Sequence, residues 1–139
     1  MQRLILTLQC AHSALALAAL ACTAPVFAAP PTANIAAGKA TYAAACASCH
    51  QVGPSARNGF GPQLNGVLGR PAGSLAGYRY SPAMQNARIV WSEQTLAAFI
   101  RNPGRTVPGN KMRFFSLGYS DQKMADLLAY LDSLPAAPQ

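Results

Sequence analysis

Two thiols and an imidazole stand together in the run Cys46-Ala47-Ser48-Cys49-His50. C-x-x-C-H is the attachment sequence of a c-type haem. Two thiols about one helical turn apart can each add to a vinyl group on the porphyrin edge, and the imidazole that follows then falls beneath the iron. Three other chemistries compete. A structural zinc site needs about four ligands, and once the N-terminal leader with His12 is set aside, His50 is the one histidine left. A thioredoxin-type pair belongs in a strand-helix context, and no strand pattern is visible. A plain disulfide leaves His50 unexplained. The haem reading accounts for all three side chains.

A haem that only transfers electrons needs a second axial ligand. The sulfur candidates past the leader are Met84, Met112 and Met124. Met124 falls on an apolar helical stripe, where a core methionine is expected. Met84 falls in a short helix. Met112 ends the extended stretch Val107-Pro108-Gly109-Asn110-Lys111-Met112, which has little other reason to bury a thioether.

These side chains need a scaffold. The chain has 139 residues, enough for one domain. Met1 to Arg3 is a short cationic start, Leu4 to Phe27 has no Asp, Glu, Lys or Arg, and Val26-Phe27-Ala28 offers small residues for cleavage. Residues 1–28 therefore read as a cleaved secretory signal, an anchored form arising if the signal is retained. Cys10 and Cys22 leave with it. Residues 29–34 read as a flexible lead-in, 35–134 as the domain and 135–139 as a tail.

The domain reads as all-α, four short helices joined by long loops. Asn34 can cap a first helix to about Cys46, with Ile35, Tyr42 and the alanines inward. Gly38 in its middle suggests that another helix crosses closely. Val52 to Tyr80 is dense in Gly and Pro and has no period. Ser81-Pro82 opens a short helix. Ser92 opens another, with Leu96, Phe99 and Ile100 on its apolar face, and Asn102-Pro103 stops it. Ser120-Asp121 caps the last, with Met124, Leu127, Leu128, Leu131 and Leu134 at helical spacing. So little core and so much loop favour a large apolar cofactor at the centre.

The formal charge is +7, and loss of Arg3 with the signal leaves +6. This suits an acidic protein partner. The basic residues are scattered singly and the chain is exported, so nucleic acid is not expected.

The chain resembles a class I cytochrome c of the mitochondrial and purple-bacterial type. The resemblance spans Gly38 to Leu134. It rests on the haem-attachment run, Gly61-Pro62-Gln63-Leu64-Asn65-Gly66, Leu68-Gly69-Arg70, Gly77-Tyr78-Arg79-Tyr80, Trp91, Asn102-Pro103, Pro108 to Met112 and Ala125 to Leu131. It implies the small class I cytochrome c fold, wrapped around one covalently bound haem c. It implies that the Pro62 carbonyl accepts the His50 ring N–H, and that Tyr80 and Trp91 hydrogen-bond a haem propionate with Arg70 nearby. Met112 would be the sixth ligand, and Gly38 and Tyr42 would pack against Tyr130.

Departures from the family pattern carry their own expectations. Phe99 stands where a tyrosine usually bonds the methionine sulfur, Asn110 where a threonine often precedes Lys-Met, and Met84 at a core asparagine. They predict a more apolar distal side, with Met112 held mainly by packing. Ala45 and Gly104 replace docking lysines, while Arg57, Arg105, Lys111 and Arg113 remain.

The expected function is that of a monomeric, periplasmic one-electron carrier rather than an enzyme, with no small-molecule substrate. Its expected partners are redox proteins: a donor such as a cytochrome bc complex, and an oxidase or photosynthetic reaction centre as acceptor. The alternative is a dedicated electron-accepting subunit of a periplasmic dehydrogenase. Peroxidase-like or gas-binding chemistry would require Met112 to be off the iron.

Overall fold

The computed structural model describes residues 32–114 and 116–136. The expected signal and the end of the expected tail lie outside them. The helices run in the order α1 (Ile35–Ala45), α2 (Pro82–Gln85), α3 (Glu93–Arg101), α4 (Pro103–Thr106) and α5 (Asp121–Asp132). Among the described residues there is no sheet, only an isolated bridge between Pro71 and Val90. None of the described helices is long and apolar enough to cross a membrane.

The first helix starts where the Asn34 side chain accepts the Ala37 N–H at 3.0 Å, satisfying a donor the helix itself cannot. It packs chiefly on α5. The expectation that Ile35 and the alanines face inward is corrected: Ile35 is 51% exposed, and the buried residues of α1 are Gly38 and Tyr42. The cause is the closeness of the crossing. A Cβ on Gly38 would overlap the backbone carbonyl of Asp126 and come within 2.9 Å of the Tyr130 Cβ. The Tyr42 and Tyr130 rings pack at 5.5 Å beside that contact.

Asp126 fastens the same junction. Its buried carboxylate accepts the Asn34 N–H at 2.8 Å and the Gln122 amide at 2.8 Å. A negative charge at the start of α1 suits the helix dipole, and the two hydrogen bonds offset the cost of burying it. On α5, Met124, Leu127, Leu128 and Leu131 are buried, as their spacing predicts.

Ser92 and Thr95 form a reciprocal capping box at the start of α3, whose buried face is Leu96, Phe99 and Ile100. The four-helix expectation misses α4. Asn102 ends α3, but its side chain also accepts the Arg105 N–H at 3.0 Å and begins a new turn. Pro103 takes the first helical position, where its missing N–H costs nothing.

The stretch from Val52 to Tyr80 is irregular, as expected, and side-chain amides tie it together. Asn65 both accepts from the Gly53 N–H and donates to the Gly53 carbonyl, each at 2.8 Å. Asn58 donates to the Ala76 carbonyl at 3.1 Å and accepts the Gln63 N–H at 3.1 Å. These bonds satisfy backbone groups that no helix or sheet serves.

Replacing Gly38 with alanine tests the crossing. Gly38→Ala is expected to cost about 3 kcal/mol, the upper end for adding a methylene to a filled core. Guanidinium unfolding of the full chain measures it, and an unchanged midpoint would show that the helices can part without penalty.

Candidate functional site

One cavity of about 750 Å³ lies between the end of α1, the loop between α1 and α2, α3, α5 and the stretch from Lys111 to Phe114. This falls within the range of cofactor sites, about 300–1,000 Å³. Cys46, Cys49, His50, Pro62, Arg70, Tyr80, Trp91 and Met112 all line it. Residues brought together from one end of the domain to the other therefore line one cavity.

The imidazole is the most constrained of them. His50 Nδ1 lies 2.8 Å from the Pro62 carbonyl, so Nδ1–H donates and Nε2 keeps its lone pair for a metal. Gly61 lies against the ring: a Cβ there would be 2.5 Å from Cε1 and 2.7 Å from Nδ1. Burial lowers the His50 pKa, with the Pro62 hydrogen bond partly opposing. The ring is thereby kept in the neutral, ligating form.

Cys46 and Cys49 are half-buried and not joined to each other. Burial, then the neighbouring Cys49, pushes the Cys46 thiol up to about 11. It therefore stays a thiol at neutral pH. Dithiol oxidoreductases depend instead on a thiolate of depressed pKa, so that alternative loses its chemical basis here.

A polar corner forms on the far wall. Arg70 is half-buried, and its guanidinium donates to the Asn65 carbonyl at 3.1 Å and the Gln63 carbonyl at 3.2 Å. Burial lowers its pKa, opposed by the Tyr80 phenol. Burial likewise raises the Tyr80 phenol. Trp91 is buried, its ring 5.0 Å from Phe99. A guanidinium, a phenol and an indole on one apolar wall make a place for carboxylate groups.

Met112 is half-buried in the same cavity. To the packing expected to hold it mainly, Asn110 adds hydrogen bonds to the backbone. That buried amide accepts the Met112 N–H at 2.7 Å and donates to the Pro103 and Val107 carbonyls, each at 2.7 Å. The loop is tied to α4 by hydrogen bonds, with Phe99 supplying the apolar wall. Met84 also lines the cavity. Met124, 2% exposed, is a core side chain.

Sequence reasoning missed the parts that act through the backbone. The roles of Gln63 and Asn65 under Arg70 went unassigned, although both fall in the matched Gly61 to Gly66 run. Leu127 and Leu131 also line the cavity, and the apolar stripe of α5 was the signal for them. Together the residues fit a flat apolar ring that carries a metal and acidic tails. Two thiols, a free imidazole nitrogen, a polar corner and thioethers line one largely apolar cavity.

The sequence model of the family described as "Cytochrome c" matches residues 35–135. A cytochrome c2 of Blastochloris viridis is 42% identical over 91 residues, covering 66% of this chain and 71% of that protein. A cytochrome c2 of Rhodomicrobium vannielii is 48% identical over 86 residues, covering 62% and 68%. The solved structure of cytochrome cH from Methylobacterium extorquens is similar at a TM-score of 0.64 and 35% identity, covering 70% of this chain and 96% of that one.

Two substitutions probe this geometry. Asn110→Ala leaves the Met112 N–H without its partner and takes from the Pro103 and Val107 carbonyls one of the two hydrogen bonds each accepts, and it is expected to cost about 2 kcal/mol, the scale of an unsatisfied buried group. Hydrogen exchange at the Met112 amide should rise with it, and unchanged exchange would show that packing suffices. Gly61→Ala should force the imidazole off Pro62 and lower the fraction of chain recovered with haem attached, read from its absorbance. A wild-type yield would show that the ring tolerates the methyl group.

Proposed function

We propose, from the premise that the chain belongs to the cytochrome c family and carries one covalently attached haem c, that it is a diffusible periplasmic one-electron carrier. It would run between a membrane donor such as a cytochrome bc complex and a terminal oxidase or photosynthetic reaction centre. One observation carries the reading: His50 and Met112 line the same cavity as the paired thiols.

In this reading Cys46 and Cys49 would hold the haem through thioether links, and His50 Nε2 and the Met112 sulfur would ligate its iron. When bound, the haem supplies the Fe(II)/Fe(III) couple. Pro62 fixes the tautomer and orientation of His50. The neutral thioether of Met112 favours the reduced metal and raises the potential. Asn110 keeps that thioether in place. Arg70, Tyr80 and Trp91 would hold the propionates, and Phe99 and Leu127 would exclude water. With His50 and Met112 both ligating, the iron would have no open position for a substrate, which would separate a carrier from a peroxidase.

The cavity rim supplies a docking surface. Arg79, Lys111 and Arg113 are exposed and line the cavity, as does Phe60, which is 85% exposed. Long-range attraction from such cations speeds encounter with an acidic partner, and a small contact suits rapid release. The expected export signal is what supports the periplasm.

Stopped-flow reduction and oxidation with native membranes, repeated across ionic strength, tests the carrier reading. Rates should fall several-fold from low to physiological salt, as the screening length shortens from about 30 to about 8 Å. Salt-independent rates together with co-purification with one dehydrogenase would instead establish the fixed subunit. In the same preparation, the ferrous protein should bind carbon monoxide slowly and Met112→Ala rapidly. Rapid binding by the wild type at neutral pH would overturn the assignment of Met112.

A further inference from the structure

We propose that Tyr42 is a positioning residue for His50, with its phenol hydroxyl tying the backbone of the haem-attachment turn to the crossing of α1 and α5. The proposal rests on the reading of His50 as an axial ligand.

Tyr42 grips that turn at both ends. Its backbone carbonyl accepts the N–H groups of Cys46 at 2.8 Å and Ala47 at 3.1 Å. Its hydroxyl, reaching forward from the helix, donates to the His50 carbonyl at 2.5 Å. One residue of α1 therefore holds the first and last residues of the Cys46–His50 segment.

The ring that carries this hydroxyl is itself held. It is 7% exposed and packs against Tyr130 of α5 with ring centres 5.5 Å apart. Four residues earlier, one helical turn away, Gly38 lets the two backbones meet. The hydroxyl is thus anchored to the close crossing of α1 and α5.

His50 is then tied at three points. Its N–H donates to the Cys46 carbonyl at 2.9 Å, its ring Nδ1 meets the Pro62 carbonyl at 2.8 Å, and its own carbonyl accepts from Tyr42. The carbonyls on either side are bonded too, Cys49 to the Gly61 N–H at 2.8 Å and Gln51 to the Leu64 N–H at 3.0 Å. The Tyr42 hydroxyl holds the one between them, and so steadies the backbone from which the imidazole projects.

A hydroxyl that merely stabilised the helix crossing would predict a different outcome from one that positions the ligand. Tyr42→Phe keeps the ring against Tyr130 and deletes only the donor, while Tyr130→Phe alters the same crossing from the other side. In Tyr42→Phe holoprotein, amide exchange at Cys49 and His50 should rise about tenfold, the scale of one lost hydrogen bond. The reduction potential should rise too, because a less constrained ring makes a poorer bond to Pro62 and donates less to ferric iron. Tyr130→Phe should change neither. If both variants lower the unfolding midpoint alike while exchange and potential stay at wild-type values, Tyr42 is structural and the proposal fails.

A measurement on the unaltered protein does not depend on the variants folding. The Tyr42 hydroxyl proton should give a slowly exchanging NMR resonance with a cross-peak to His50, and its absence would overturn the proposal. Paramagnetic NMR separates this from a failure of the premise. Missing hyperfine-shifted His50 ring signals in the oxidised wild type would remove His50 as a ligand, and the positioning role with it.

Discussion

Backbone meets backbone where α1 crosses α5, at Gly38 and Asp126, and the rest of the molecule is arranged around that contact. The end of α1 runs directly into the Cys46–His50 turn. The far side of α5 presents Leu127 and Leu131 to the cavity. Any shift of one helix along the other would therefore move the thiols and imidazole against the opposite wall. Tyr42, Tyr130 and the doubly bonded Asp126 carboxylate keep that register.

Most of the remaining chain is irregular, and order in it comes from side-chain amides. Asn58, Gln63 and Asn65 bond backbone groups of the loop that carries Pro62 and Arg70. Asn110 does the same for the loop that carries Met112. The amide has both a donor and an acceptor, so one buried side chain can close a loop that has no ladder of its own. Such loops bring the backbone within reach of a flat cofactor, where a helix would stand too far off.

Charge within the site is arranged by the same loops. The His50 ring is kept neutral by burial, and the Arg70 guanidinium is aimed by two backbone carbonyls. A neutral imidazole on one wall and a cation with a phenol on another make a site with two different ends. This polarity suits a cofactor with a metal at its centre and carboxylates along one edge.

The sequence by itself determined the features that depend on neighbours a few residues apart. These are the C-x-x-C-H attachment run, the caps at Asn34, Ser81, Ser92 and Ser120 and the stripe of α5. Each is a matter of one helical turn or one loop, and the residue types announce it. Tertiary structure alone decided what depends on approach between distant segments. It turned Ile35 outward, because the crossing beside it is too close to admit a side chain. It made Asn102 the start of α4 as well as the end of α3. It showed that Asn110 bonds the backbone of the Met112 loop in addition to the packing that had been expected, and it turned the Tyr42 hydroxyl onto the carbonyl of His50. A hydrogen bond is directional and short. Spacing along the chain therefore cannot reveal which buried donor will meet which carbonyl until the helices have fixed both ends.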